Sequence, residues 1–290
     1  MSRAVAQAPF EPGTPRLVAL DLDGTLLTSD KRISPRARAA VEALDGRGVA
    51  VVLCTGRPPR SSKAYAAELG LTAPFICFNG AALYHPADDA VTIRHHLDPE
   101  VAGRAVLELR AAFPGVRLGL ESDHGWYLEP TAMASRAAEA RLGPEEPTGV
   151  GPVERFLDAG AIKLMASSDG RAAAELAMAV ADLPLQRTWS AGGLLELLDP
   201  RVDKRAAVSE VSRGLGIGRR DVAAFGDQRN DVELLGWAGW GVAMANASEE
   251  ARAAADEVTL SNDDDGVAVV LEGWLHETSG HPPHRAPTGG

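Results

Sequence analysis

The sequence predicts a mixed α/β fold: a parallel sheet covered by helices, interrupted by an α+β segment. Three observations carry this. The first third of the 290 residues alternates short apolar runs with amphipathic stretches. The last third repeats that rhythm, and strands alternating with helices imply a parallel sheet with helices on both faces. The middle, roughly 84–198, is richer in strand candidates and breaks the alternation.

In order, "RLVALDLD" is the first strand candidate. "SPRARAAVEALDGRG" follows, with Ser34 as N-cap, Pro35 at the first helical position and glycines at its end. "VAVVLC" is apolar on both faces, as a covered parallel strand should be. A helix is expected from about 58 to 69, then the short strand "PFICF". In the middle segment, "AVTIRHHL", "GVRLGLES", "GWYLEP", "AIKLMASS", "LQRTWS" and "GLLELLD" read as strands, with helices near 99–113 and 170–181. "LGPEEPTGVGP" reads as a loop. Beyond it come a helix from about 203 to 213, the strand "DVAAFGD", the helix "NDVELLGWAG" and the strand "WGVAMA". "SEEARAAADE" is a helix with Ser248 as N-cap and acids in its first turn, and "DDDGVAVVLEGWL" closes the series. The expected division is a disordered lead (1–15), a parallel-sheet domain (16–83 and 199–275), an inserted α+β domain (84–198) and a Pro/Gly tail (276–290).

Composition excludes several functions. Hydrophobic residues make up 45%, which is globular. A net charge of −11 argues against nucleic acid, whose phosphates call for clustered Lys and Arg. No apolar run reaches the roughly 18 residues of a membrane span, and no signal peptide is evident. Cys54 and Cys77 sit in apolar runs and read as buried free thiols, which fits a reducing cytoplasm.

Chemistry concentrates where apolar strands end. "VALDLDGTLL" delivers Asp21 and Asp23, two residues apart and so directed to one side of the strand, with Gly24 to turn the chain away. "VAVVLC" delivers Thr55, Gly56 and Arg57; "VAAF" delivers Gly226 and Asp227, then Asn230 and Asp231. In doubly wound sheets the ligand crevice lies beyond the carboxyl ends of the strands. A single Asp there is usually a turn or cap. Three such ends carrying four carboxylates are different, because clustered carboxylates repel and raise one another's pKa. A hard divalent cation relieves this, and oxygen-only ligands suit Mg²⁺. Lys204, opening a helix in "DPRVDKRAAV", supplies a positive group.

These motifs together resemble the haloacid dehalogenase (HAD) superfamily, and within it the Cof-type (subfamily IIB) phosphatases. "DLDGTLL", "TGR", Lys204 and "GDQRND" match its four motifs in order, and "FNGA", "GVAMANA" and "DDDGVAVVLE" match further signatures. Arg205 and Ala245 stand where the family often has Gly; neither change removes a functional group. The resemblance implies a Rossmann-like HAD core with a C2-type cap between the second and third motifs. It also implies a Mg²⁺-dependent phosphomonoester hydrolase acting on a small phosphorylated metabolite, a sugar phosphate or phosphorylated cofactor. Asp21 would be the nucleophile, forming an aspartyl-phosphate, and Asp23 the general acid and base. Mg²⁺ would be held by Asp21, the Asp23 main-chain carbonyl and Asp227, supported by Asp231. Thr55, Gly56, Lys204 and Asn230 would bind the phosphoryl oxygens. The alternatives are a sugar phosphomutase of the same superfamily and a non-catalytic sugar-phosphate sensor. Either a monomer or a homodimer is compatible with the sequence.

Other features read as structural. "GLGIG" (214–218) follows a helix and reads as its stop rather than a dinucleotide loop. His276, His281 and His284 have no scaffold to make a metal site, and His95 and His96 fall in an expected cap strand without a catalytic role. Trp126, Tyr127 and Trp189 read as packing groups, with stacking on a substrate ring as the alternative. Lys163 in "AIKLM" could reach substrate from the cap.

Overall fold

The computed structural model describes residues 14–134, 146–190 and 193–277. Most of the expected lead, and the tail beyond 277 with His281 and His284, lie outside the described residues. The chain runs β1 (Leu17–Leu20), α1 (Pro35–Asp45), β2 (Ala50–Leu53), α2 (Pro59–Glu68), β3 (Phe75–Cys77), β4 (Ala82–His85), β5 (Ala90–Ile93) and α3 (Pro99–Ala112). Next come β6 (Arg117–Ser122), β7 (Gly125–Leu128), α4 (Pro130–Ala134), β8 (Gly149–Val150), β9 (Ala161–Ser167), α5 (Ala173–Ala179), β10 (Gln186–Ser190) and β11 (Leu194–Leu198). The last part comprises α6 (Lys204–Gly214), β12 (Val222–Gly226), α7 (Val232–Trp237), β13 (Trp240–Ala243), α8 (Glu249–Ala254), β14 (Glu257–Val258) and α9 (Gly266–Glu277).

The central sheet is five-stranded and wholly parallel, in the order β14-β13-β12-β1-β2. Leu17–Leu20 have no exposed surface, which is why this strand can be apolar throughout. In register, Leu20 faces Leu53 on one side and Phe225 on the other. The chain segments that follow Leu20, Leu53 and Gly226 therefore leave the sheet together at the carboxyl ends of its strands. Helix α1 packs on α9, and α6 on α7. Ser34 caps α1 by accepting from the Ala37 N–H at 3.0 Å, as its position in the sequence suggests.

A second sheet has six strands in the order β10-β11-β9-β6-β7-β8. Its pairs are antiparallel except β7 with β8. Side chains alternate across it. Leu118, Leu120, Leu164, Ala166, Leu195 and Leu197 join the core under α3 and α5, whereas Trp126, Leu128 and Met165 form a separate cluster.

Three expectations need correction. "PFICF" is not a ladder strand of the central sheet; β3 pairs antiparallel with β4, and meets the segment after β2 through a parallel bridge between Cys54 and Ile76 and backbone hydrogen bonds such as Thr55 N–H to the Ile76 carbonyl at 2.9 Å. The strand in "AVTIRHHL" ends at Ile93 and pairs with β4, in a three-stranded sheet whose apolar residues pack on the large core. His95 and His96 therefore follow the strand. Helix α9 continues through His276, where a tail was expected.

Candidate active site

Asp21 follows β1 immediately and is 6% exposed. Lys204, the first residue of α6, is 1% exposed and reaches it: its Nζ lies 2.7 Å from Asp21 Oδ1 and 2.6 Å from Asp231 Oδ1. Asp203 fixes the helix start by accepting from the Arg205 N–H at 2.8 Å. Asp231 is locked from its other oxygen, which accepts from the backbone N–H of Asp227 (3.0 Å) and of Gln228 (3.1 Å). Gly226 makes this possible, since a Cβ there would stand 2.4 Å from the Asp231 Cβ. Asp227 accepts from Gln228 Nε2 at 3.0 Å. Gly24 adopts φ +80°, and a Cβ on it would lie 2.3 Å from Asp227 Oδ2.

Carboxylate oxygens of Asp21, Asp227 and Asp231 all lie within 4.8 Å of one another. Electrostatics records the crowding. Burial, then repulsion from Asp231 and Asp227, raises the Asp21 carboxyl well above the ordinary range against the pull of Lys204. Asp227 is pushed up to about 6, by burial first and then by Asp231. Burial works against the Lys204 charge, yet Asp21 and Asp231 hold its ammonium well above the usual range. Three oxygen donors with surplus negative charge suit a hard divalent cation.

Asp23 behaves differently. Its carboxylate is outside the cluster and is gripped by Arg57 Nε at 2.5 Å and Lys31 Nζ at 2.6 Å. Burial would raise it, but these two cations outweigh that and hold it at about 2. The sequence expectation that Asp21 and Asp23 share a side is met in that both line one cavity, though only Asp21 joins the carboxylate group.

That cavity, of about 560 Å³, lies between the central sheet and the inserted one. From the central sheet side come Asp21, Asp23, Thr55, Gly56, Asp227 and Asn230; from the other come Lys163, Thr188, Leu194 and Glu196. Lys204 and Asp231 stand behind Asp21, outside the lining. Thr55 is buried, and its hydroxyl accepts from the Arg57 N–H at 3.1 Å. Gly56 packs against the Asn79 amide, and Asn230 Nδ2 donates to Asn79 Oδ1 at 2.8 Å.

Sequence reasoning gave no role to Lys31, Arg57, Asn79, Thr188 or Glu196. "FNGA" marked Asn79's turn, where it takes φ 57°, but nothing showed that two candidate phosphate ligands meet on its amide. Lys163 does reach the cavity, 2.9 Å from Glu196 and donating to the Gly56 carbonyl at 3.1 Å. Trp126 and Tyr127 do not line it: Trp126 sits under the Arg60 guanidinium and Tyr127 stacks on Phe156. The Trp189 side chain lies outside the described residues. "GLGIG" begins where α6 ends, with Gly216 at φ +67°.

The comparison with known proteins decides the family. The description "haloacid dehalogenase-like hydrolase" matches residues 18–271. The chain belongs to this family. It is 30% identical over 275 residues to a 5-amino-6-(5-phospho-D-ribitylamino)uracil phosphatase of Bacillus subtilis, covering 90% of this chain and 98% of that one. It is 32% identical over 256 residues to a phosphoglycolate phosphatase of Natronomonas pharaonis, covering 88% and 96%. A solved HAD subclass IIB sugar phosphatase shares its fold, with a TM-score of 0.76 at 22% identity over 89% of this chain and 98% of that one. The expected enzyme class, a phosphatase of the Cof-type HAD hydrolases, and the expected α/β fold with its cap-like sheet are borne out. Among the described residues no helix is long and apolar enough to cross a membrane.

Proposed function

We propose that this hydrolase removes phosphate from a small phosphorylated metabolite with Mg²⁺ and an aspartyl-phosphate on Asp21. The observation that carries the reading is the cluster of Asp21, Asp227 and Asp231 around the Lys204 ammonium, opening on a cavity of metabolite size. Asp21 and Asp227, with the Asp23 carbonyl and Asp231 in support, would hold the ion. When bound, it offsets the repulsion between a carboxylate nucleophile and an anionic phosphate.

Asp21 attacks phosphorus, the ester P–O bond breaks, and the leaving oxygen takes a proton from Asp23. Asp23 then takes a proton from water as the water oxygen bonds to phosphorus, and the acyl phosphate P–O bond breaks to restore Asp21. Thr55, the Gly56 N–H and Asn230, which line the cavity, would supply donors for the phosphoryl oxygens, where charge develops, and Lys204 would add its charge from behind Asp21. Arg57 and Lys31 keep Asp23 ionised, as the second half-reaction needs. For the first half Asp23 must carry a proton, so its grip by Arg57 and Lys31 would have to loosen once substrate is bound. Two free buried thiols, Cys54 and Cys77, support a cytoplasmic setting.

The test is phosphate release from p-nitrophenyl phosphate with Mg²⁺ and with chelator, for the native chain and Asp21→Asn. Metal-dependent release that vanishes in Asp21→Asn is expected. An Asp21→Asn protein that keeps most of its turnover overturns the reading, and transfer to glucose phosphates instead of water replaces it with a mutase.

A further inference from the structure

We propose that Asn79 is a positioning residue: it passes an orientation from the Lys163–Glu196 pair of the inserted sheet to the side-chain amide of Asn230. The proposal rests on the phosphatase reading above and concerns which atom of Asn230 meets the phosphoryl group.

An asparagine amide is an acceptor at one end and a donor at the other, and the two ends have nearly the same shape. Turned over, it repels the anionic oxygen that it would otherwise bind. Asn230 lines the cavity, so its direction matters. Its Nδ2 donates to Asn79 Oδ1 at 2.8 Å, and Asn79 Nδ2 donates to Glu196 Oε2 at 3.3 Å. Glu196 Oε1 in turn accepts from Lys163 Nζ at 2.9 Å. A carboxylate paired with an ammonium only accepts. Asn79 must therefore turn its nitrogen to Glu196 and its oxygen to Asn230, and Asn230 must answer with its own nitrogen. That nitrogen keeps a second N–H for a phosphoryl oxygen.

The relay is held firmly. Lys163, Glu196 and Asn79 are all buried, where an unmet polar atom is costly. The Asn79 N–H donates to the Thr55 carbonyl at 2.9 Å, and the residue sits at φ 57°, a conformation that Asn adopts more readily than most. A Cβ on Gly56 would stand 3.1 Å from both ends of the Asn79 amide, so the bare glycine leaves room for that amide to lie flat against it.

Glu196→Gln tests the relay with a side chain of the same shape. Lys163 can only donate, so it claims the new amide oxygen. The new nitrogen then faces Asn79, and both asparagines turn over. Loss of a negative charge by itself favours a bound anion, so charge and relay predict opposite signs. The experiment is calorimetric titration of inorganic phosphate into the Mg²⁺-loaded protein, for the native chain, Glu196→Gln, Asn230→Ala and the two combined. Glu196→Gln should weaken phosphate about tenfold, the worth of one hydrogen bond to a charged group, and should weaken it no further once Asn230→Ala is present. Asn79→Gly, which suits φ 57° and leaves the Lys163–Glu196 pair whole, should weaken it likewise, again only where Asn230 is intact. Native or tighter binding in Glu196→Gln or Asn79→Gly overturns the proposal. So does a weakening that persists beside Asn230→Ala, or an Asn230→Ala protein that binds as the native chain does. Each of these leaves the phosphatase reading intact. A native chain that neither binds phosphate nor releases it from p-nitrophenyl phosphate sinks that reading and the proposal with it.

Discussion

Replacing Lys204 by methionine keeps the stem and deletes the charge that sits between two buried carboxylates. At contacts of 2.7 and 2.6 Å and an effective dielectric of about 20, each attraction is worth roughly 6 kcal/mol gross. Burying the ammonium costs several kcal/mol of this, so breaking the arrangement from one side should cost about 3–5 kcal/mol. That is a large share of the roughly 5–15 kcal/mol that holds a domain together. Urea unfolding at neutral pH, in chelator, measures it. The paired variant Asp21→Asn/Lys204→Met removes one negative charge as well and should recover part of the lost stability while remaining inactive. A Lys204→Met protein within about 1 kcal/mol of the native chain would refute the idea that this ammonium holds the carboxylates together.

Raising pH should weaken the metal-free protein. Asp227 rises from 3.8 to about 6 on folding, so its contribution is fully present below about pH 4 and is lost as pH climbs through 6, an effect of about 3 kcal/mol. Thermal unfolding should show Mg²⁺ restoring stability at pH 8 and doing little at pH 4.5, with both effects reduced in Asp227→Asn. Gly24→Ala forces a side chain onto φ +80° and against Asp227, so it should cost about 1–3 kcal/mol and most of the phosphatase activity. Arg60→Met strips Glu121, 1% exposed, of the guanidinium that holds it at 2.5 and 2.6 Å. A loss of about 3 kcal/mol or more in urea midpoint analysis is expected.

The parallel sheet and the acidic cluster were legible because both follow from local pattern. Apolar runs short enough to be strands end in Asp21, Thr55 and Gly226-Asp227, and Ser34 and Ser248 mark helix starts through their own side chains. Polar groups at the ends of buried strands have few uses, so their convergence could be read before any contact was seen. Thr188 and Glu196 were hidden because their meaning lies in register: only the pairing of β10 with β11 sets them side by side on the cavity wall. Lys31 was hidden for a similar reason, since it acts from a turn at φ 62° whose direction no periodicity announces. The antiparallel partner of β3 was missed because a three-residue apolar strand suits either kind of sheet.

The central strand waits a long time for its second neighbour. Leu17 finds Ala50 early in the chain, but its other partner is Val222, on the far side of the whole inserted sheet. During synthesis, β6, β7 and β9, which pair over short stretches, emerge from the ribosome well before Val222 does. Local pairings form faster than distant ones. The insert is thus free to acquire its own order while the nascent centre still presents one unpaired side, and Asp21 can meet Asp227 only after the segment that carries Val222 has emerged.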